Sequence, residues 1–239
     1  MTGSLSNRII LVTGASRGIG RAAAKALAAE GAHVIALART VGGLEELDDE
    51  IKSVGGTATL VPLDLKDFEA LDRLGASIFE RWQKLDGFLG NAGVLGVLTL
   101  LSHMQPKTFQ ELLDVNVTAN WRLIRSLDPL LKLSDAGRVV FVSSGVARNH
   151  RAFWGGYAMS KAALESLALT YAAECETTNV RVNLLNPGAT RTAMRAKAMP
   201  GEDPDTLPKP EDIAPLVVKM LSPSFSDNAT LVNYRETRH

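Results

Sequence analysis

The sequence predicts a doubly wound α/β fold: one domain built on a parallel sheet of six or seven strands with helices on both faces. Three observations carry that expectation. Short apolar runs alternate with segments of helical periodicity along the chain, which implies right-handed βαβ units. A glycine-rich turn joins the first run to the first helix. Gly14, Asp64, Asn91, Ser144 and Pro187 each lie at or just after the end of a strand, where ligands of such sheets sit.

The elements follow in order. Arg8 to Thr13 is a short, mostly apolar run, as expected for a strand covered on both faces. Residues 18 to 30 are alanine-rich and helical, and Gly31 stands where a helix ends. His33 to Ala38 reads as the second strand, Leu44 to Val54 as a helix and Thr57 to Leu63 as the third strand. Phe68, Leu71, Leu74, Ile78 and Trp82 trace the stripe of an amphipathic helix. Phe88-Leu89 is a fourth strand, followed by one long helical region from Thr108 to Leu133. Arg138 to Val142 is the fifth strand, a helix runs from Gly156 to Glu176, and Val180 to Leu185 is the sixth strand. Ser226 to Tyr234 offers a poor seventh.

Composition narrows the function. The chain has 239 residues and no linker-like or charge-block boundary, so residues 1–239 read as one domain, with a substrate loop at about 189–210. With 26 basic and 26 acidic residues, no net field draws it to nucleic acid or to an anionic membrane. A lone cysteine, Cys175, excludes an internal disulfide and fits a reducing compartment. Met1 to Arg8 has no signal-peptide core and no apolar run reaches the length of a membrane span, so a cytoplasmic protein is expected. His33, His103 and His239 share no ligand spacing with each other or with Cys175, so no metal site is expected.

Two motifs carry chemistry. In Thr13-Gly14-Ala15-Ser16-Arg17-Gly18-Ile19-Gly20, glycines permit a tight turn and bring backbone amides and a helix N-terminus close to a pyrophosphate. Tyr157 and Lys161 are four apart in a helical stretch and share a face. A phenol titrates near ~10 in model peptides, and a neighbouring ammonium favours its anion, so the pair is expected to lower the tyrosine's pKa and make its proton exchangeable near neutrality. The end of the second strand, Leu37-Ala38-Arg39-Thr40, has no carboxylate to accept from ribose hydroxyls, and Arg17 lies in the glycine turn. Two guanidiniums near a 2′-phosphate favour NADP(H) over NAD(H).

These residues resemble, as an ordered set, the short single-domain branch of the short-chain dehydrogenase/reductase family, whose fold is Rossmann-type. The set comprises the glycine turn, Asn91-Ala92-Gly93, Ser144, Tyr157-x-x-x-Lys161 and Asn186-Pro187-Gly188, and the likeness covers residues 5 to 222. The resemblance implies an oxidoreductase that moves a hydride between a nicotinamide and a carbonyl or secondary alcohol. Tyr157 would exchange the proton, Lys161 would hold its pKa down and contact the ribose, and Ser144, thirteen positions before the tyrosine, would bond the reacting oxygen. Asn116 matches the asparagine that completes the family's tetrad and would position a water. Asp64 matches an adenine-contacting aspartate, with Leu65 beside it. Gly14, Ser16, Arg17, Gly18, Ile19, Gly20, Arg39, Asn91, Ala92, Gly93, Pro187, Gly188, Thr190 and Thr192 complete the implied cofactor site, together with Tyr157 and Lys161. The segments Asn186 to Arg195 and Glu202-Asp203-Pro204 are similar to an uncharacterised bacterial oxidoreductase subgroup.

Some alternatives stay open. Arg148, His150 and Arg151 before Tyr157, and Arg191, Arg195 and Lys197 after Gly188, either favour an anionic or extended substrate or are ordinary solvated loop charges. Ser144 could be a strand-end turn residue, and Asn116 could satisfy buried backbone in a kinked helix. The glycine-rich ending common in the family is missing, which favours a homodimer through the 108–133 and 156–176 helices, with a tetramer as the other possibility. A catalytically silent regulatory or scaffold protein of the same fold is the rival reading, since fold alone does not dictate function.

Overall fold

Strand β1 (Ile9–Thr13) is buried from its second residue onward, as an apolar run without alternation demands. The computed structural model describes residues 3–237. After β1 come α1 (Gly18–Ala29), β2 (His33–Ala38), α2 (Val41–Ser53), β3 (Thr57–Pro62), α3 (Phe68–Trp82) and β4 (Gly87–Gly90). The second half continues with α4 (Pro106–Leu113), α5 (Ala119–Lys132), β5 (Arg138–Val142), α6 (Val146–Asn149), α7 (Gly155–Glu174) and β6 (Arg181–Asn186). It closes with α8 (Ala193–Ala198), α9 (Pro210–Leu221) and β7 (Leu231–Asn233). All strands pair in parallel in the order β3-β2-β1-β4-β5-β6-β7. The order reverses between β1 and β4, which opens a crevice at their carboxyl ends.

Each sheet face has its own core. Leu71, Leu123, Leu127, Phe141, Leu164 and Ala168 belong to one, which brings α3, α5 and α7 onto the sheet. Leu27, Leu44, Leu47, Val140, Val217 and Met220 belong to the other, under α1, α2 and α9.

The helical region expected over 108–133 is two helices. Residues Asp114–Thr118 form a wide π turn between α4 and α5. Asn116 causes it, because its amide reaches out of the helix: Oδ1 accepts from Val94 N–H at 2.8 Å and Nδ2 donates to the Val94 carbonyl at 2.9 Å. The freed Asn116 carbonyl accepts from Asn120 Nδ2 at 2.9 Å. The seventh strand exists despite its polar sequence. Side-chain amides set its register: Asn228 Oδ1 accepts from Val182 N–H at 2.9 Å, and Asn183 bonds the Asp227 carbonyl at 2.7 Å and Thr230 N–H at 3.0 Å. Within the expected substrate loop, 193–198 is helical.

At the opposite, amino-terminal edge of the sheet lies a buried ionic cluster. Asp86, fully buried, accepts from Ile9 N–H at 2.9 Å, Ser134 Oγ at 2.6 Å and Lys84 Nζ at 2.9 Å, and stands 4.0 Å from the buried Arg8 guanidinium. Removing one partner strands the other in a site of low polarisability. Asp86→Ala is therefore expected to destabilise the fold by about 3–5 kcal/mol in urea denaturation, with activity per folded molecule unchanged because the cluster is at the far edge from the crevice.

Candidate active site

The turn after β1 is shaped by close approach. Gly14 and Gly18 adopt φ of +66° and +57°, in the left-handed region. Gly20 packs so tightly that a Cβ there would lie 2.3 Å from the Gly14 carbonyl oxygen and 2.5 Å from Asn91 Nδ2. Thr13 and Asn91 tie this turn to the end of β4. Asn91 Nδ2 donates to the Thr13 carbonyl at 2.9 Å, and Thr13 Oγ1 accepts from the N–H groups of Asn91 and Ala92 at 3.1 Å. The Gly188 turn, at φ +69°, is held by its own N–H donating to Asn186 Oδ1 at 3.1 Å. Thr192, which caps α8 by accepting from Arg195 N–H at 3.2 Å, has its methyl 3.5 Å from where a Gly18 Cβ would stand. Residues expected on three separate loops thus meet around one crevice. Its glycine-lined cradle at a helix N-terminus fits a dinucleotide pyrophosphate.

Other expected cofactor residues flank the cradle. Arg17 and Arg39 are exposed, and Arg39 Nη1 stands 3.8 Å from Asp64 Oδ2. Ser16 backs against Gly43 of α2, while Ile19 packs on the core below. Leu65 is buried core, and Thr190 Oγ1 donates to the Pro187 carbonyl at 3.3 Å.

At the amino-terminal end of α7 stand Tyr157 and Lys161, both buried. They share a face as the spacing predicts, with Lys161 Nζ 5.9 Å from the tyrosine ring centroid. Nζ donates to the Val142 carbonyl at the end of β5, at 2.8 Å, and lies 3.5 Å from the Cβ position of Gly93. The expectation of a depressed phenol pKa is corrected here. Burial pushes Tyr157 up to about 12, opposed by its contact with the Ser144 side chain. Burial lowers Lys161 to about 8, opposed by Glu165. One desolvated pocket disfavours the charged form of both groups. The sign follows: the buried ammonium costs stability at neutral pH, and that cost is relieved as pH rises from about 8 toward lysine's ordinary value.

Asn116 reaches this helix indirectly. Its Nδ2 donates to Ser160 Oγ at 2.9 Å, and Ser160 Oγ donates to the Tyr157 carbonyl at 2.8 Å. Four groups that the sequence reading expected at the site, Asn116, Ser144, Tyr157 and Lys161, are therefore assembled within one corner of the crevice. The family model for short chain dehydrogenases matches residues 8–203. The chain belongs to that family. The oxidoreductase YciK of Escherichia coli K12, itself uncharacterised, is 45% identical over 220 residues, 91% of this chain and 87% of its own. A short chain dehydrogenase of Shigella flexneri solved with NADP superposes with a TM-score of 0.94 at 41% identity, covering 98% of this chain and 100% of its own. One from Escherichia coli CFT073 with NADPH gives a TM-score of 0.92 at 41% identity, covering 98% and 99%.

As a short-chain dehydrogenase the chain is an oxidoreductase of CH–OH or C=O groups that works with a nicotinamide dinucleotide. Three groups escaped the sequence reading. Thr13 and Ser160 act by joining elements, which leaves no motif of their own. Glu165, four residues after Lys161, is buried and accepts from Ser143 Oγ at 2.6 Å and Arg148 Nε at 2.9 Å. Its helical spacing from Lys161 was the available signal. His33 is bonded through both ring nitrogens, to Thr57 at 2.8 Å and Thr59 at 2.9 Å, while His239 lies outside the described residues. Among the described residues no cluster of three or more His, Cys, Asp or Glu could hold a metal ion, and no helix is long and apolar enough to cross a membrane.

The cradle's tolerance is testable by adding one methyl group at two glycines. Gly20→Ala forces backbone apart and is expected to destabilise by about 1–3 kcal/mol and to weaken NADPH binding in a fluorescence titration. Gly42→Ala, in a helix with nothing within 4 Å of the added Cβ, is expected to stabilise by about 0.4–1 kcal/mol and leave binding unchanged.

Proposed function

We propose that this chain is an NADP(H)-dependent oxidoreductase interconverting a small-molecule carbonyl compound and a secondary alcohol, with Tyr157 as the general acid and base. The carrying observation is the pair Tyr157 and Lys161, buried together at the crevice with Ser144 against the phenol. The cofactor would lie across Gly14, Ser16, Arg17, Gly18, Ile19 and Gly20 at its pyrophosphate, with Asp64 and Leu65 toward the adenine. Asn91, Ala92 and Gly93 would line its middle, and Pro187, Gly188, Thr190 and Thr192 its nicotinamide end. Exposed Arg17 and Arg39 support NADP(H), as do the relatives solved with NADP and NADPH. The Arg39–Asp64 pair is long and exposed, so it offers little resistance to a phosphate drawing the guanidinium away.

The bound dinucleotide supplies or accepts the hydride. In the direction of carbonyl reduction, the Ser144 hydroxyl would hold the reacting oxygen and the Tyr157 hydroxyl would give it a proton. A phenol raised to about 12 stays protonated at neutral pH, yet it remains a stronger acid than the alcohol it would form. Protonated Lys161 would offset the tyrosinate that forms. Asn116, through Ser160, is a positioning residue that holds the first turns of α7 in place. All of this fits one domain spanning residues 1–239, with about 189–210 covering the substrate. A homodimer through α5 and α7 would cover Trp121, over whose ring Arg122 and Arg125 lie, and the cytoplasm is the compartment proposed.

Tyr157→Phe is expected to lower kcat by about 1,000-fold or more while leaving the NADPH dissociation constant within about twofold, since only the proton donor is lost. A variant that reduced carbonyls at the parental rate would remove Tyr157 from this role. The rate also depends on Lys161 being charged, so kcat/KM for reduction is expected to fall as pH rises through about 8. In Lys161→Arg, that limb of the pH profile moves to higher pH.

A further inference from the structure

The walls around Tyr157 and the charges near them point to a substrate class. We propose that the site takes an uncharged carbonyl compound with an apolar body, aliphatic or aromatic, and discriminates against carboxylated or phosphorylated analogues. The proposal rests on the NADP(H) oxidoreductase reading above and deepens it.

Tyr157 belongs to a separate apolar cluster, distinct from both sheet cores. Leu95, Leu112 and Trp154 are buried with it, and Leu98, Met104 and Met199 pack against them. These side chains come from the segment after β4, from α4, from the loop before α7 and from the end of α8. The Trp154 and Tyr157 ring centroids are 6.3 Å apart. Beside this cluster, around α8, is a separate cavity of about 460 Å³ walled by Thr192, Ala196, Leu207 and the paired Arg195 and Glu202, and Met199 is the side chain the two share.

The rim also presents apolar side chains, next to the exposed Arg148, His150 and Arg151. Val97, Leu101 and Phe153 are 56%, 67% and 56% exposed. Thr99 N–H donates to the Phe153 carbonyl at 3.0 Å, and Leu101 abuts Gly155, which joins the segment after β4 to the loop just before Tyr157. Phe153 has φ +71°, a left-handed conformation that is unfavourable for a bulky side chain. The protein thus maintains a strained backbone while leaving that aromatic ring in water beside the crevice.

The arginines that could have attracted an anion are already engaged. Arg195 Nε and Nη2 both bond Glu202 at 2.6 Å, Arg191 pairs with Asp205, and Arg148 pairs with Glu165 at 2.9 Å. Arg151 lies over the Trp154 ring at 5.5 Å. Arg151, His150 and Lys197 carry no carboxylate partner, and Arg151 and His150 are exposed. A substrate carboxylate placed against the Tyr157 cluster would face an apolar wall and lose hydration there. The sequence alone left these six cations open to either reading; the carboxylate partners of Arg148, Arg191 and Arg195, together with the apolar wall at Tyr157, favour a neutral substrate.

The test uses the full chain at saturating NADPH with matched pairs: 2-decanone against its ω-carboxylated analogue, and acetophenone against its para-carboxylated analogue. The neutral member of each pair is expected to have the higher kcat/KM by about tenfold or more. In Leu101→Ser, which changes a rim side chain that is largely in water, KM for 2-decanone should rise severalfold while NADPH affinity stays at the parental value. Equal or better use of the carboxylated members overturns the proposal. So does failure to reduce either neutral ketone by protein that binds NADPH. A defect in the underlying reading has a different signature: no NADPH binding, or full activity in Tyr157→Phe.

Discussion

The carboxyl edge of a parallel sheet imposes one requirement on everything built there. Beyond the last ladder pair, strand carbonyls and loop amides lose their partners, and those that are buried need new ones. In this chain the residues of the candidate site meet that need. Thr13 and Asn91 splice the ends of β1 and β4, Asn186 holds the Gly188 amide, and Lys161 takes the Val142 carbonyl. Even Asn116 spends its whole amide on Val94 and Ser160. Lys161 and the cofactor-facing loops are therefore held by the same bonds that terminate the sheet.

That dual use explains what the sequence made legible. Buried strands such as β1 and β5 appear as unbroken apolar runs, and the one-turn spacing of Tyr157 and Lys161 appears directly in the residue numbers. Gly14 and Gly18 are visible because positive φ favours glycine, and Gly20 because a Cβ there would strike the Gly14 carbonyl. What was hidden depends on partners distant along the chain. The π turn is set by Asn116 reaching Val94, twenty-two residues back, and β7 by the amides of Asn183 and Asn228 rather than by β-forming side chains. The partners of Arg191 and Arg195 stand fourteen and seven positions downstream in an irregular segment, where no periodicity announces them.

The pKa values at Tyr157 and Lys161 were the least legible property, because the sign of each shift is a contest. Spacing reveals that the two groups are neighbours. Only packing reveals their desolvation, which prevails over the Ser144 contact at Tyr157 and over Glu165 at Lys161. A buried acid with a high pKa beside a buried base with a low one is a pair in which both partners lean toward neutrality. Such a pair is poised to respond strongly to any further charge brought close to it.

The wide turn at Asp114–Thr118 also bears on how this chain can change in length. Because it carries a residue in excess of regular α-helix, deleting one residue there would close the turn to regular helix and keep the apolar stripe of Leu123, Leu127 and Leu131 on the sheet. What would go is the widening that lets Asn116 reach Val94. The length of this stretch is therefore set by one side chain's reach and not by the packing of the helices on either side.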